Sequence, residues 1–132
     1  MGDDGVCFEV ARDREPEEQA PARESLWCVC GARRARIAGE LAFGAGAIEA
    51  GPVTHGFGLD VWDVGEGLLA RVAEGWHATD AELGARTERF LASRDQGATW
   101  IEIEASDARD LEHRRTEESR VGQIDRWPAS WC

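Results

Sequence analysis

Apolar positions recur every second residue at both ends of the chain and at a longer period in the middle. In GVCFEVA, Val6, Phe8 and Val10 share one side; in SLWCVCGA, Leu26, Cys28 and Cys30 oppose Trp27 and Val29. Both segments therefore read as strands. ARIAGELAF places Ile37, Gly39, Leu41 and Phe43 on one face and reads as a third strand, with Gly39 weakening its pairing. Gly and Pro in GAGAIEAGPVTHG mark a loop or hairpin turn, and FGLDVW follows as the next strand.

From Asp63 onward the spacing changes toward that of a helix. Asp63 and Glu66 have the spacing of a capping box, and Leu68, Leu69, Val72 and Ala73 form an apolar stripe, so a helix is expected from about Val64 to Glu74. Thr79 and Glu82 repeat the capping spacing, and Leu83, Thr87, Phe90 and Leu91 continue a second helix to Ser93, with Gly97 as its stop. In TWIEIEAS, Ile101 and Ile103 alternate with Glu102 and Glu104, which favours a strand. Asp107 to Arg120 is charged nearly all round, as in a solvated helix held by Asp110–Arg114 and Glu117–Arg120 pairs. Val121, Ile124, Trp127 and Trp131 then close the chain as a strand or turn on the core. The stretch from Arg12 to Glu24, with its two Pro and many charges, reads as a flexible solvated loop within the domain. Together these elements predict an α+β fold: a single domain over residues 1–132, an antiparallel sheet with two or three helices packed on one face.

Composition narrows what such a domain can do. A chain of 132 residues that is 42% hydrophobic, with six Trp and four Phe, has one domain's length and enough apolar mass to bury a core. The net charge of −11 opposes binding to nucleic acid or to an anionic membrane surface and favours basic partners. This charge is uneven: −5 over residues 1–24, +3 over 25–39, −7 over 40–84 and −2 over 85–132. The opening MGDDGVCFEV has no basic, apolar export signal and no stretch reaches the length of a spanning helix, so a cytoplasmic location is expected. The four Cys then read as free thiols.

Most candidate chemistry has a structural explanation. Cys28 and Cys30 could join His55 or His77 at a metal, yet no second close ligand pair is present and core thiols explain them. Either His could act as a general base, but no nucleophile stands in a recognisable pattern with it. GAGAIEAG lacks the spacing and the following helix of a phosphate-binding loop. Glu102 and Glu104 share a strand face, where outward solvated carboxylates are the simpler reading. No metal, cofactor or enzymatic activity is expected.

Taken in order, HGFGLDVWDVGEGLLARV, ERFLASRDQGATWIEI and RVGQIDRWPASW resemble immunity protein family eight of bacterial polymorphic toxin systems. Phe57, Val61 and Leu69 match its strand leading into a helix, Phe90, Leu91, Thr99 and Trp100 its later helix before a threonine-tryptophan pair, and Val121, Ile124 and Trp127 its closing segment. The resemblance spans about residues 55–131. It implies a cytoplasmic, non-enzymatic protein that neutralises a cognate secreted toxin domain, commonly by covering its active site. An acidic surface suits a toxin with a basic cleft, and the charge distribution suggests which residues would meet it. Asp60, Trp62, Asp63 and Glu66 stand at the first expected strand-to-helix junction, and Glu74, Trp76, Asp80 and Glu82 near the next; the acids would pair with the toxin's basic side chains and the Trp would be desolvated anchors. Oligomeric state is left open. Two other classes fit the sequence: a small-molecule pocket protein of the cone-shaped α+β type, which would need a cavity converging on His55 or His77, and an acidic nucleic-acid mimic that inhibits a defence enzyme.

Overall fold

The computed structural model describes residues 6–17, 20–48, 51–78, 86–112 and 119–127. Among these, the chain forms strands β1 (Cys7–Arg14), β2 (Ala22–Cys30), β3 (Arg33–Ile48), β4 (Gly51–Asp63), β5 (Leu68–Ala78), β6 (Arg86–Ser93) and β7 (Ile101–Ile103), helix α1 (Ala105–Glu112), and strand β8 (Arg120–Arg126). The strands pair antiparallel in chain order from β1 to β7, and β8 pairs with β4.

The bend in β3 decides the architecture. Its first part pairs with β2, whereas Gly44 to Ile48 pair with the start of β4. The β2–β3 register slips on either side of Leu26, and Glu40 and Gly44 take positive φ of 53° and 97°, as expected where a bulged strand turns sharply. Beyond His55, β3 no longer pairs with β4, and β8 occupies the vacated edge from Phe57 to Trp62. The chain thereby folds back on itself in two layers.

Strand alternation fills the space between those layers. Leu26, Cys28, Ile37 and Leu41 meet Phe57, Leu59, Val61, Leu68, Ala70, Val72 and Leu91 in one buried cluster. Phe8 packs at its margin beside Gly122, where a Cβ would lie 2.2 Å from the ring, so any larger residue there would displace the Phe8 side chain. Trp62, Val64 and Leu69 face the other side of the sheet and are covered by Ala108 of α1, with Phe90 and Ile103 alongside.

One buried carboxylate joins the layers. Glu24, whose side chain is 2% exposed, accepts from Arg12 Nε at 3.2 Å and from Arg126 Nη2 at 3.0 Å, tying β1 and β8 to β2. Strand pairing thus enters the segment expected to be a solvated loop from both sides, with β1 ending at Arg14 and β2 starting at Ala22.

The expected α+β fold with two or three helices is corrected to a mostly antiparallel sheet with one short helix among the described residues. The helix expected over Val64–Glu74 is a turn followed by β5. Because β5 lies between β4 and β6 and is covered on both faces, it presents Leu68, Ala70 and Val72 to one cluster and Leu69 to the other. A strand buried on both sides loses its period-two signature, and its adjacent apolar residues imitate a helical stripe. The second helix is contradicted over Arg86–Ser93, which forms β6, with Leu91 and Phe90 directed to opposite clusters; its first part, 79–85, lies outside the described residues. Of the third, Ala105–Glu112 is helical, residues 113–118 lie outside the described residues, and Arg120 belongs to β8. Arg120 reaches Gln123 and Asp60; Arg114 and Glu117, the other members of the expected pairs, lie outside the described residues. TWIEIEAS does contain a strand, limited to Ile101–Ile103.

Candidate partner-binding cleft

The β4–β5 hairpin turn forms one wall of a cleft. Asp63 Oδ1 accepts the Gly65 amide at 2.9 Å, and the Val64 amide donates to the Gly67 carbonyl at 3.0 Å. Gly65 adopts φ 93°, which glycine reaches without strain. The Asp63 carboxylate therefore closes a turn instead of capping a helix, while Asp63 and Glu66 remain exposed on the turn.

Facing it is the loop from Arg94 to Trp100, organised around another acid. Asp95 Oδ1 accepts from Ser93 Oγ at 2.9 Å and from the Thr99 amide at 2.9 Å, and its Oδ2 accepts from Thr99 Oγ1 at 2.7 Å. These hydrogen bonds favour the ionised form, the Thr99 hydroxyl most strongly, and hold the Asp95 carboxyl at about 2. Ser93 Oγ also receives the Gly97 amide at 2.8 Å, and Trp100 Nε1 donates to the Gly97 carbonyl at 3.0 Å. The loop is built as a fixed wall.

Between these walls and α1 lies a cleft of about 510 Å³. Val64, Leu68, Ala92, Ile101 and Ile103 give it an apolar lining; Glu66, Asp95 and Asp107 place acids on it against Arg94. Ile101 is 68% exposed, an unusual position for a large aliphatic side chain at the edge of a sheet. Apolar contact surface within an acidic border is thus concentrated at one end of the molecule.

The residues expected to form a binding surface are divided by the fold. Asp63 and Glu66 stand on the cleft's turn. Asp60, with a side chain 15% exposed, is held by Arg71 at 2.8 Å and Arg120 at 3.8 Å, so its charge is compensated internally. Trp62 is 4% exposed, packed under α1, with the Arg71 and Arg120 guanidinium carbons 5.6 and 6.0 Å from its ring. Glu74 and Trp76 lie toward the other end of the β4–β5 ladder, paired with Phe57 and His55. Strand alternation places Phe57 and Asp60 on opposite faces, so Glu74 and Asp60 cannot join one surface. Asp80 and Glu82 lie outside the described residues.

Ile101, Asp95 and Asp107 line the cleft without being among the residues expected at a binding surface. The alternation of Ile101 and Ile103 was visible, but the short strand's exposed edge was not. Ser93, Asp95 and Thr99 formed a readable signal of turn chemistry, obscured by assigning Gly97 to the end of a helix.

The other chemical candidates have defined places. Cys7, Cys28 and Cys30 are free thiols, and burial pushes the Cys28 thiol up, partly offset by a hydrogen bond with Trp100. Among the described residues, no group of three or more His, Cys, Asp and Glu side chains is arranged to hold a metal ion. Glu102 pairs with Arg89 at 3.2 Å. Gly44 to Ile48 lie in β3 and pair with β4, so that glycine-rich segment is a strand arm and not a phosphate cradle. No helix among the described residues is long and apolar enough to cross a membrane. Comparison with protein-family models, curated proteins and solved structures gives no match to this chain.

Proposed function

We propose that the protein is a non-enzymatic inhibitor that binds and neutralises a cognate toxin domain, and that a basic, partly apolar surface of that domain docks in the cleft beside Ile101. The observation carrying this reading is the exposed Ile101 on an apolar cleft whose acidic groups outnumber its one lining Arg. Protein interfaces commonly combine a desolvated apolar centre with a polar border. The border's negative field would draw a basic partner into encounter, while apolar contact would slow its departure. The bound chemistry is that of a protein with Lys or Arg flanking a hydrophobic side chain. Asp63, Glu66, Asp95 and Asp107 are the acids assigned to this surface; Asp60 and Trp62 support the sheet beneath it.

Co-expression with a toxin domain encoded beside the protein provides the test, using growth rescue and co-purification at low salt. The wild-type chain should restore growth and retain the toxin, whereas Ile101→Asp, with unchanged thermal unfolding, should lose both properties. Undiminished rescue and affinity in a folded Ile101→Asp variant would overturn the placement of the interface. Absence of rescue and complex formation with the wild-type protein would overturn the inhibitor reading.

A further inference from the structure

At the other end of the β4–β5 ladder a second cavity, of about 230 Å³, opens between Arg23, His55, Glu74 and Trp76, with Ala42 and Thr87 at its border. The β3 bend creates it: β2 contributes Arg23, the bent strand contributes Ala42, and paired positions of β4 and β5 contribute His55 and Trp76. It is separate from the acidic cleft. The strand register puts seven steps between His55↔Trp76 and Trp62↔Leu69, or about 23 Å along the strands.

Opposite charges face this cavity without neutralising each other. Arg23 Nη1 donates to the Glu40 carbonyl at 3.1 Å, and Glu74 Oε2 accepts the Ala42 amide at 2.7 Å. Among the described residues, no ion pair joins Arg23 to Glu74, and neither the His55 ring nor the Trp76 indole N–H has a hydrogen-bond partner. Each charged side chain is thus anchored by one contact while retaining further donor or acceptor capacity. His55 lies within the field of both. Burial pushes its imidazole below its ordinary range, Arg23 acts in the same direction and Glu74 opposes them.

A lone anion could bind Arg23 but would face the Glu74 carboxylate, and a lone cation would meet the converse repulsion. A molecule carrying both charges removes the conflict. We propose that this cavity binds a small zwitterion of amino-acid size, its carboxylate on Arg23 and its ammonium between Glu74 and the Trp76 ring, with His55 completing the hydrogen bonding. The volume accommodates roughly eight water-sized groups, which suits a small amino acid and excludes a nucleotide. An aromatic face beside a carboxylate is favourable for an ammonium group through cation–π and ionic contact together. This site is independent of the toxin-binding cleft.

The test is a two-dimensional ¹H–¹⁵N NMR titration with glycine, L-alanine and L-serine, beside acetate and ethylammonium as probes carrying one charge each. The Trp76 indole N–H, assigned with Trp76→Phe, and the His55 ring resonances should shift saturably with at least one amino acid. The dissociation constant should be on the order of 1 mM or below, and either single-charge probe should bind at least ~10-fold more weakly. Arg23→Gln and Glu74→Gln should each remove the response while retaining a dispersed amide spectrum; Gln at position 74 still offers an oxygen to the Ala42 amide. Lack of a saturable shift with all three amino acids, equal binding by acetate or ethylammonium, or an unchanged response in folded Glu74→Gln would overturn the proposal.

Discussion

The two ends of the β4–β5 ladder arrange charge in opposite ways. At the hairpin turn, Glu66, Asp95 and Asp107 line an apolar cleft with one Arg, whereas at the other end Arg23 and Glu74 face a smaller cavity as opposite charges. An unbalanced cluster projects a field into solvent; a balanced pair acts mainly at contact range. One end is therefore suited to capturing a large basic partner, and the other to sorting small molecules by their own charges. The interior also separates structural charge from displayed charge. Asp60 and Glu24 each meet two Arg, while Asp63 stands exposed with a carboxylate oxygen engaged by a turn amide.

The largest expected effect distinguishes the displayed from the internally paired acids. Asp60→Ala should destabilise the fold by about 1–3 kcal/mol, because Arg71 and Arg120 lose their shared carboxylate beside Trp62. Charge reversal at Asp107, exposed on α1, should leave unfolding within about 0.5 kcal/mol of wild type. Denaturant titrations of both variants check this contrast; equal stability losses would remove the division between interior and displayed acids. For toxin binding, Glu66→Lys with Asp107→Lys should slow association by roughly tenfold at low salt, with a much smaller change in dissociation. Stopped-flow measurements should show the rate difference shrink as added salt shortens the screening length.

A smaller and more local effect concerns the cleft's fixed wall. Asp95 is held at about 2 by Thr99 and Ser93, below the ordinary carboxylate value. Its contribution to loop order should be complete above about pH 4 and disappear as pH falls through about 2. Exchange of the Thr99 amide should report this loss, and Asp95→Ala should show fast exchange already at neutral pH. The smallest effect belongs to the far end: Arg23→Gln and Glu74→Gln should leave toxin affinity within about twofold of wild type.

Much of the fold was legible wherever a strand had one buried and one less buried side. Phe8 and Val10 in β1, Leu26 and Cys28 in β2, and Ile124 in β8 follow that pattern. The middle misled because β5 and β6 serve an apolar cluster on each face, bringing hydrophobic residues next to one another in sequence. Asp63 and Glu66 added to the error, since the same Asp chemistry that caps a helix also closes a glycine-rich hairpin. Of the candidate cleft and its turn, Asp63 and Glu66 alone were legible. Asp60 and Trp62 had suitable residue types and adjacent positions, but cross-strand partners and the cover of α1, both set by long-range pairing, removed them from the surface. Ile101 stands out as a candidate contact residue only once β7 is placed at a sheet edge.

The position of the interface is tested most directly by hydrogen-exchange mapping of the protein alone and in complex with the toxin domain. The account predicts new protection concentrated at residues 64–68, 94–101 and around Asp107, with little change at His55 or Glu74–His77. Protection at that second set, with the cleft unaffected, would contradict it.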